Sequence, residues 1–120
     1  MDHDLRFVIN LFEKSGDLLH IKEEFDPRYE IAAALLHRPK GPALLFDCVK
    51  DYSIPVVGNL LNTRRKYGLS LGISENQTFS HTVQGLTHPV KPIEVFGGPC
   101  QEIMILEKID LLSILPVPNL

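Results

Sequence analysis

GPALLFDCVKDYSIPVVGNLLNTR, residues 41–64, contains two short apolar runs separated by a polar stretch. The runs occupy residues 43–46 and 54–57, and the polar stretch lies at residues 50–53. Neither run alternates strictly between apolar and polar side chains, which is typical of strands buried on both faces. We therefore predict two buried strands joined by a polar connection.

A helix and a strand are predicted near the start of the chain. Asp4 is a suitable N-cap and Gly16 a suitable left-handed stop, so a helix should occupy the residues between them. A strand should follow, because apolar and polar residues then alternate. The apolar positions are Leu5, Val8, Ile9 and Phe12 in the helix, and Leu19, Ile21 and Phe25 in the strand.

A second helix is predicted between this strand and the two apolar runs. Asp26-Pro27 is a helix-start signal, since proline is well tolerated in the first turn. The helix should end at Pro39-Lys40-Gly41-Pro42, where the prolines fix φ and remove donors. Its apolar stripe consists of Ile31, Ala34 and Leu35.

Two more helices are predicted after the apolar runs. Thr63 can cap a short helix that stops at Gly72. Ser74 and Gln77 have the spacing of a capping box for the next helix, which should finish before Pro89. The apolar side of that helix consists of Phe79, Val83 and Leu86.

The last part of the chain predicts a hairpin and a final helical turn. Residues 93–96 and 101–106 flank Gly97-Gly98-Pro99, which has the composition of a tight turn. A helical turn at residues 109–115 is stopped by the prolines that follow it. The predicted order is α-β-α-β-β-α-α-β-β-α. It indicates an α+β fold, with a small mixed sheet and flanking helices, rather than the regular βαβ alternation of a doubly wound sheet.

The composition is that of an ordinary globular domain and excludes several classes of partner. The 120 residues are 44% apolar and 22% charged, with a net charge of -3. Nucleic acids and anionic membranes require a basic face, so neither is expected as a partner. No apolar run approaches the ~20 residues needed for a membrane span. The acidic N-terminus lacks the features of a signal peptide, so we expect a cytoplasmic protein.

Few residues have the spacing of a catalytic or metal site. There is no nucleophile elbow, H-E-x-x-H or phosphate-binding glycine motif. The five histidines are scattered and never stand at i, i+4, so a zinc site is not expected. Cys48 and Cys100 lack C-x-x-C spacing. A disulfide between them is one interpretation, and two free, buried thiols in a reducing cytoplasm is the one we expect.

Arg64-Arg65-Lys66 places three cations in the first turn of a predicted helix. The helix dipole and the unpaired N–H groups of that turn favour an anion instead. Two explanations stay open. The side chains either reach into solvent or pair with acids elsewhere in the domain, or the turn faces a cofactor phosphate, a substrate carboxylate or an acidic patch on a neighbouring domain. Arg64 and Arg65 are the candidates for such an anion or domain contact.

Three stretches resemble motifs of the UbiD family of prenylated-FMN-dependent (de)carboxylases. GPALLF at residues 41–46 is similar to the family's GGPALLF. IPVVGNLLNTR at residues 54–64 resembles PVVGNLFGTR, with Leu61 and Asn62 in place of phenylalanine and glycine. GPCQE, IDLL and LPVP, within residues 98–118, resemble GPVQE…VDLLKLPVP. The stretches occur in the family's order, so the resemblance covers nearly the whole chain.

The resemblance implies the N-terminal domain of a 3-octaprenyl-4-hydroxybenzoate carboxy-lyase-like enzyme, a reversible decarboxylase of aromatic or α,β-unsaturated acids. Such enzymes use prenylated FMN, a divalent metal and often potassium. Their catalytic Glu-Arg-Glu set and their flavin and metal ligands lie downstream of LPVP. No position here matches them, so no catalytic, cofactor-binding or metal-binding residue is assigned. We expect residues 1–120 to form a single domain, truncated before the flavin-binding split barrel.

On this interpretation the chain is inactive and binds no cofactor when alone. Its expected partners are the flavin-binding and C-terminal domains of the parent enzyme, which should be a homo-oligomer. One alternative is a stand-alone assembly subunit that docks onto a separate catalytic chain. Another is a small anion-binding module around residues 63–66. If the domain is excised, the apolar side of the 109–115 turn should lack a partner and form an exposed patch.

Overall fold

The computed structural model describes residues 4–119, and their centre is a three-stranded sheet. The strands are β1 (Leu18–Phe25), β2 (Ala43–Val49) and β3 (Val56–Gly58), in the order β1-β2-β3. β1 runs parallel to β2, whereas β3 runs antiparallel to it. The two apolar runs therefore contribute neighbouring strands, as predicted, but only β2 is buried: β3 is half-buried and leaves out the exposed Ile54.

Five helices accompany the sheet in this part of the chain, and none is long and apolar enough to cross a membrane. The predicted class, α+β with a small mixed sheet and flanking helices, is confirmed. The predicted order of elements also agrees, except for the hairpin expected at residues 93–106. The helices are α1 (Leu5–Ser15), α2 (Glu30–His37), α3 (Arg64–Leu71), α4 (Thr78–Thr87) and α5 (Leu111–Ile114).

The predicted caps fix the ends of α1 and α3. Side-chain oxygens of Asp4 and Thr63 each accept a hydrogen bond from a backbone N–H in the first turn of their helix. Gly16 and Gly72 end these helices with φ of 74° and 69°, in the left-handed region that glycine enters without strain. The capping box between Ser74 and Gln77 is also formed, in a 3₁₀ turn that leads directly into α4.

The start of α2 differs from the prediction. The helix begins at Glu30 rather than at Asp26-Pro27, after Tyr29 has taken a φ of 69°. The Asp26 carboxylate accepts the N–H of Arg28 at 2.8 Å, which forms a local turn that competes with helix. The Glu30 carboxylate accepts the N–H of Asp26 at 2.7 Å and holds that turn against the helix. The helix therefore starts four residues later than Asp26, because the Asp26 side chain forms a local turn instead.

The buried core lies where α2 covers the sheet. Ile31 of α2 packs with three side chains of β2, and the rings of Phe25 and Phe46 lie 5.2 Å apart. On α1, Phe12 is fully buried. Within residues 4–119, the buried core side chains are Phe12, Ile31, Ala43, Leu44, Phe46 and Val49.

The predicted hairpin is not formed. Residues 93–96 and 101–106 contain no strand, and a 3₁₀ turn, Pro99–Gln101, occupies the expected tip. A two-stranded hairpin needs another surface to cover its apolar face. Phe96 is fully exposed and Ile103 is 81% exposed, so the described residues provide no such surface. The prediction is wrong because the turn residues alone cannot make the strands pair.

The C-terminal residues return to the core. The N–H of Tyr29 donates to the carbonyl of Asn119 at 2.8 Å, and Pro116 is buried. The hydroxyl of Tyr52 donates to the carbonyl of Leu112. The backbone of this segment is thus attached to the domain, but its apolar side chains remain accessible, which confirms the expected exposed patch. Those side chains are Leu111, Leu112, Leu115 and Val117.

Both cysteines are free thiols, as expected, but both are exposed. The prediction that they are buried is therefore wrong. Cys48 pairs with Glu24, after the register irregularity in β1, where the burial of β2 is interrupted. Cys100 lies in the 3₁₀ turn Pro99–Gln101, in the exposed segment where the hairpin was expected.

Candidate functional site, the 59–66 clamp

Residues 59–66 connect β3 to the first turn of α3 and include the candidate Arg64 and Arg65. We call this segment the 59–66 clamp, because its side chains hold the loop that follows α2. Asn59 begins it with φ of 57°, a left-handed conformation that asparagine tolerates better than most residues. The chain can therefore turn sharply out of β3 and pass beside α2.

Two asparagine amides of the clamp donate hydrogen bonds to carbonyls at the end of α2 and in the loop that follows it. A helix leaves its last carbonyls without intrahelical donors, so the amide of Asn59 acts as a C-terminal cap of α2 from a distant part of the chain. Asn62 stands where the resembling motif has glycine, which has no side chain to donate. The acceptors are the carbonyls of Leu35 and Arg38 for Asn59, at 3.0 and 3.1 Å, and those of Pro39 and Gly41 for Asn62, at 3.0 and 3.3 Å.

Lys66 is the buried cation of the clamp, with only 2% of its surface exposed. Its Nζ donates to the carbonyl of Gly41 at 2.8 Å and to that of Asn59 at 2.7 Å. Burial lowers the pKa of Lys66, and the nearby Asp17 acts in the opposite direction. Charge-assisted hydrogen bonds compensate for part of the cost of removing an ammonium from water. Lys66 therefore joins the loop after α2 to the exit of β3.

Arg65 forms an ion pair with Asp17, at the entrance to β1. Burial acts to raise the pKa of Asp17, but hydrogen bonds from Ser15 and Arg65, together with the guanidinium charge, lower it overall. The explanation that these cations pair with acids in the domain therefore applies to Arg65. Arg64 is exposed and forms no ion pair with any residue between 4 and 119.

A groove of about 350 Å³ lies beside the clamp, bordered by Asp17, Gly41, Thr63 and Arg65. The carboxylate of Asp17 neutralises Arg65 there, and Thr63 is engaged as the helix cap. Within residues 4–119, no three histidine, cysteine or acidic side chains group in a way that could hold a metal ion. Beside this groove, the polar groups of Asp17, Thr63 and Arg65 are therefore engaged with one another or with the backbone of the domain.

Sequence reasoning missed the role of Lys66 and a second polar cluster. His20 of β1 contacts the carboxylates of Asp47 and Glu13, each at 2.9 Å. No local signal marks either site, because Lys66 and Gly41 are 25 residues apart and His20 and Asp47 are 27 apart. The Lys66 site depends on the antiparallel pairing of β2 with β3, and the His20 site depends on the parallel pairing of β1 with β2.

Comparisons with known proteins agree with this fold. The family model of the 3-octaprenyl-4-hydroxybenzoate carboxy-lyase N-terminal domain matches residues 9–86. Phenolic acid decarboxylase of Sedimentibacter hydroxybenzoicus is 32% identical over 125 aligned residues, which cover 95% of this chain and 26% of that protein.

Two solved structures resemble this fold closely. A dimeric form of the UbiD-class enzyme HmfF from Pelotomaculum thermopropionicum, in complex with prFMN, has a TM-score of 0.88 at 32% identity, covering 98% of this chain and 28% of that one. The closed form of S. hydroxybenzoicus vanillic acid decarboxylase has a TM-score of 0.82 at 31% identity, covering 97% and 27%. This chain thus spans about a quarter of the length of its relatives. It belongs to the UbiD family, and its fold is that of the family's N-terminal domain.

Proposed function

We propose that this chain is the non-catalytic N-terminal scaffold domain of a UbiD-like reversible decarboxylase of aromatic or α,β-unsaturated carboxylic acids. One observation carries the proposal: the polar side chains of the 59–66 clamp bind carbonyls within the domain. A substrate site would leave such groups facing a cavity, ready to bind the substrate. The clamp instead stabilises the contact between α2, β3 and α3.

The cofactor of the parent enzyme would be prenylated FMN, together with a divalent metal and potassium. The related HmfF structure, which contains prFMN, supports the flavin. We propose that the flavin binds elsewhere in the parent enzyme, because two of the three cations of the clamp are already engaged within this domain. Lys66 is engaged with two carbonyls, and Arg65 is engaged with Asp17.

The partners of the domain would be the flavin-binding and C-terminal domains of a cytoplasmic, homo-oligomeric enzyme. The exposed apolar residues after α3 support this proposal, since large apolar side chains in contact with water mark a surface that another body covers. Three of them are Phe79, Leu86 and Phe96, which are at least 77% exposed.

A fusion with a relative tests the proposed function. The matching N-terminal quarter of S. hydroxybenzoicus vanillic acid decarboxylase would be replaced by this chain, in the complete assembly of that enzyme. We expect the fusion to bind flavin and to release carbon dioxide from vanillic acid. The relative without its N-terminal quarter should lose this activity, because its catalytic part would lack the scaffold.

The isolated chain tests whether the domain is inactive by itself. Mixed with prenylated FMN, Mn²⁺, K⁺ and vanillic acid, it should release no carbon dioxide and leave the flavin absorbance unchanged. Turnover by the isolated chain would contradict the proposal. Rescue of the shortened relative by this chain, added as a separate protein, would favour the assembly subunit over a covalently joined domain.

A further inference from the structure

Residues 89–110, which we call the arm, link α4 to the N-cap of α5 and expose a run of large apolar side chains. The arm contains no strand, and its one regular element is the 3₁₀ turn Pro99–Gln101. Its exposed apolar residues are Val90, Ile93, Val95, Phe96, Ile103, Met104, Ile105, Leu106 and Ile109, between 48% and 107% exposed. Such a run requires cover, since few monomeric domains leave this much contiguous apolar surface in water.

Residues 103–106 of the arm, Ile-Met-Ile-Leu, have the pattern of a strand that is covered on both faces. In extended backbone Ile103 and Ile105 lie on one face, and Met104 and Leu106 lie on the other. Amphipathic strands alternate apolar and polar residues, whereas an uninterrupted apolar run is typical of a strand inside a covered sheet. Isoleucine also favours extended backbone, because its side chain is branched at Cβ.

The backbone of this run has no partner within residues 4–119. No hydrogen bond with any described residue reaches residues 103–109. Burying the four side chains would also remove water from these N–H and C=O groups, which must then be paired. An extended segment obtains such pairs from the edge of a sheet.

We infer that residues 103–106 add as a strand to a sheet in the catalytic part of a UbiD-type enzyme, where both of their faces become covered. The inference rests on the proposed function, and it specifies how the scaffold attaches: through backbone pairing of the arm. The relatives are about four times the length of this chain, so they contain polypeptide that could supply such a sheet.

A second copy of this chain offers no suitable edge. One edge of its sheet is β1, whose exposed residues 22–24 are Lys, Glu and Glu. Charged residues on an edge strand oppose the addition of an apolar strand. The other edge, β3, is only three residues long. The catalytic part of the enzyme is therefore the occupant that the geometry favours.

Amide hydrogen exchange tests the inference in the isolated chain and in the fusion described above. In the isolated chain, peptides covering residues 103–106 should exchange at the unprotected rate while those from β2 are protected. In the fusion, exchange at residues 103–106 should slow by about tenfold or more, since paired amides exchange only on opening. Ile105→Pro removes one N–H and should abolish the slowing, whereas Ile105→Val should retain it.

Each result supports or overturns the inference. A fusion that decarboxylates vanillic acid but leaves residues 103–106 unprotected refutes strand addition and keeps the scaffold function. A fusion that is inactive but protects residues 103–106 supports strand addition and refutes the scaffold function. Protection in the isolated chain also overturns the inference: if independent of concentration it indicates an internal hairpin, and if it increases with concentration it indicates a second copy.

Discussion

His20 Nδ1 lies 2.9 Å from Asp47 Oδ2, which joins β1 to β2 through their side chains. The other ring nitrogen, Nε2, lies 2.9 Å from a carboxylate oxygen of Glu13, in the last turn of α1. A neutral imidazole has one N–H and can donate to only one of the two carboxylates. Both contacts are satisfied only when the ring is protonated, and the hydrogen bonds to Asp47 and then Glu13 raise the pKa of His20.

This arrangement predicts that the free energy of unfolding declines as the pH rises above about 6.5. Because the pKa of His20 in the folded chain exceeds its ordinary value of 6.5, the folded state binds more protons than the unfolded state. The stabilisation is complete below pH 6.5 and is lost as the pH passes through the folded pKa. Urea unfolding of the wild type and of His20→Gln should show a difference that shrinks with rising pH.

The effect should be small, since the His20 side chain is 37% exposed and solvent screens its ion pairs. His81→Gln is the matched control, because His81 is exposed on α4 and its imidazole forms no hydrogen bond or ion pair with residues 4–119. Its unfolding curves should follow the wild type at every pH. If the unfolding free energy of His20→Gln differs from that of the wild type by the same amount at every pH, the two carboxylate contacts do not require a protonated ring.

Gly58→Ala should destabilise the domain by about 1–3 kcal/mol, as overpacking of a core does. A Cβ at this position would collide with the methyl groups of Leu35, so the Leu35 side chain would have to shift within its packing. Gly85→Ala is the control: its Cβ meets no atom within 4 Å, and alanine favours helix by about 1 kcal/mol. Chemical denaturation of both variants measures the difference. Equal stability of the two would show that the Leu35 side chain moves aside without cost.

Lys66→Met should cost about 1–3 kcal/mol of unfolding free energy, because the carbonyls of Gly41 and Asn59 would lose a donor in a buried place. Arg64→Met, two residues earlier, removes a cation of similar size that is exposed. We expect that change to stay within about 0.5 kcal/mol of the wild type. Thermal unfolding can rank the three proteins. A Lys66→Met variant as stable as wild type would mean that the clamp does not depend on its ammonium.

The limits of α1 and α3 could be predicted from sequence because helix caps act within one turn. The side chains of Asp4 and Thr63 accept hydrogen bonds from the N–H groups three residues later in the chain. The N–H groups of Gly16 and Gly72 donate to carbonyls in the last turn of their own helices. The apolar run of β2 was equally clear, since residues 43–46 are buried or half-buried in succession, whereas β3 is only half-buried. The class of fold follows from these local signals.

What sequence reasoning missed depends on distant residues. The Gly41 carbonyl that binds Lys66 and the Asp17 carboxylate that binds Arg65 come from the loops before β2 and β1, and only the folded sheet brings them near the clamp. The hairpin expected at residues 93–106 failed for a related reason. The apolar runs on either side of the turn have the composition of strands. A hairpin there also needs a surface that covers its apolar face, and residues 4–119 do not provide one.

Charge reversal separates the two explanations for Arg64 and Arg65. Arg65→Glu places a carboxylate against Asp17, so we expect a lower unfolding midpoint in urea. Arg64→Glu instead adds an acid to the first turn of α3, where the helix dipole favours it by about 0.3–1 kcal/mol.

The Arg64→Glu change can also be tested for its effect on flavin binding and activity, in the fusion with the vanillic acid decarboxylase. If Arg64 extends into solvent, the Arg64→Glu fusion should keep its flavin absorbance and its rate of carbon dioxide release. If Arg64 faces a cofactor phosphate or an acidic neighbouring domain, that fusion should fold but lose flavin or assemble poorly. The second result would restore the anion or domain contact as the reason why cations occupy the start of α3.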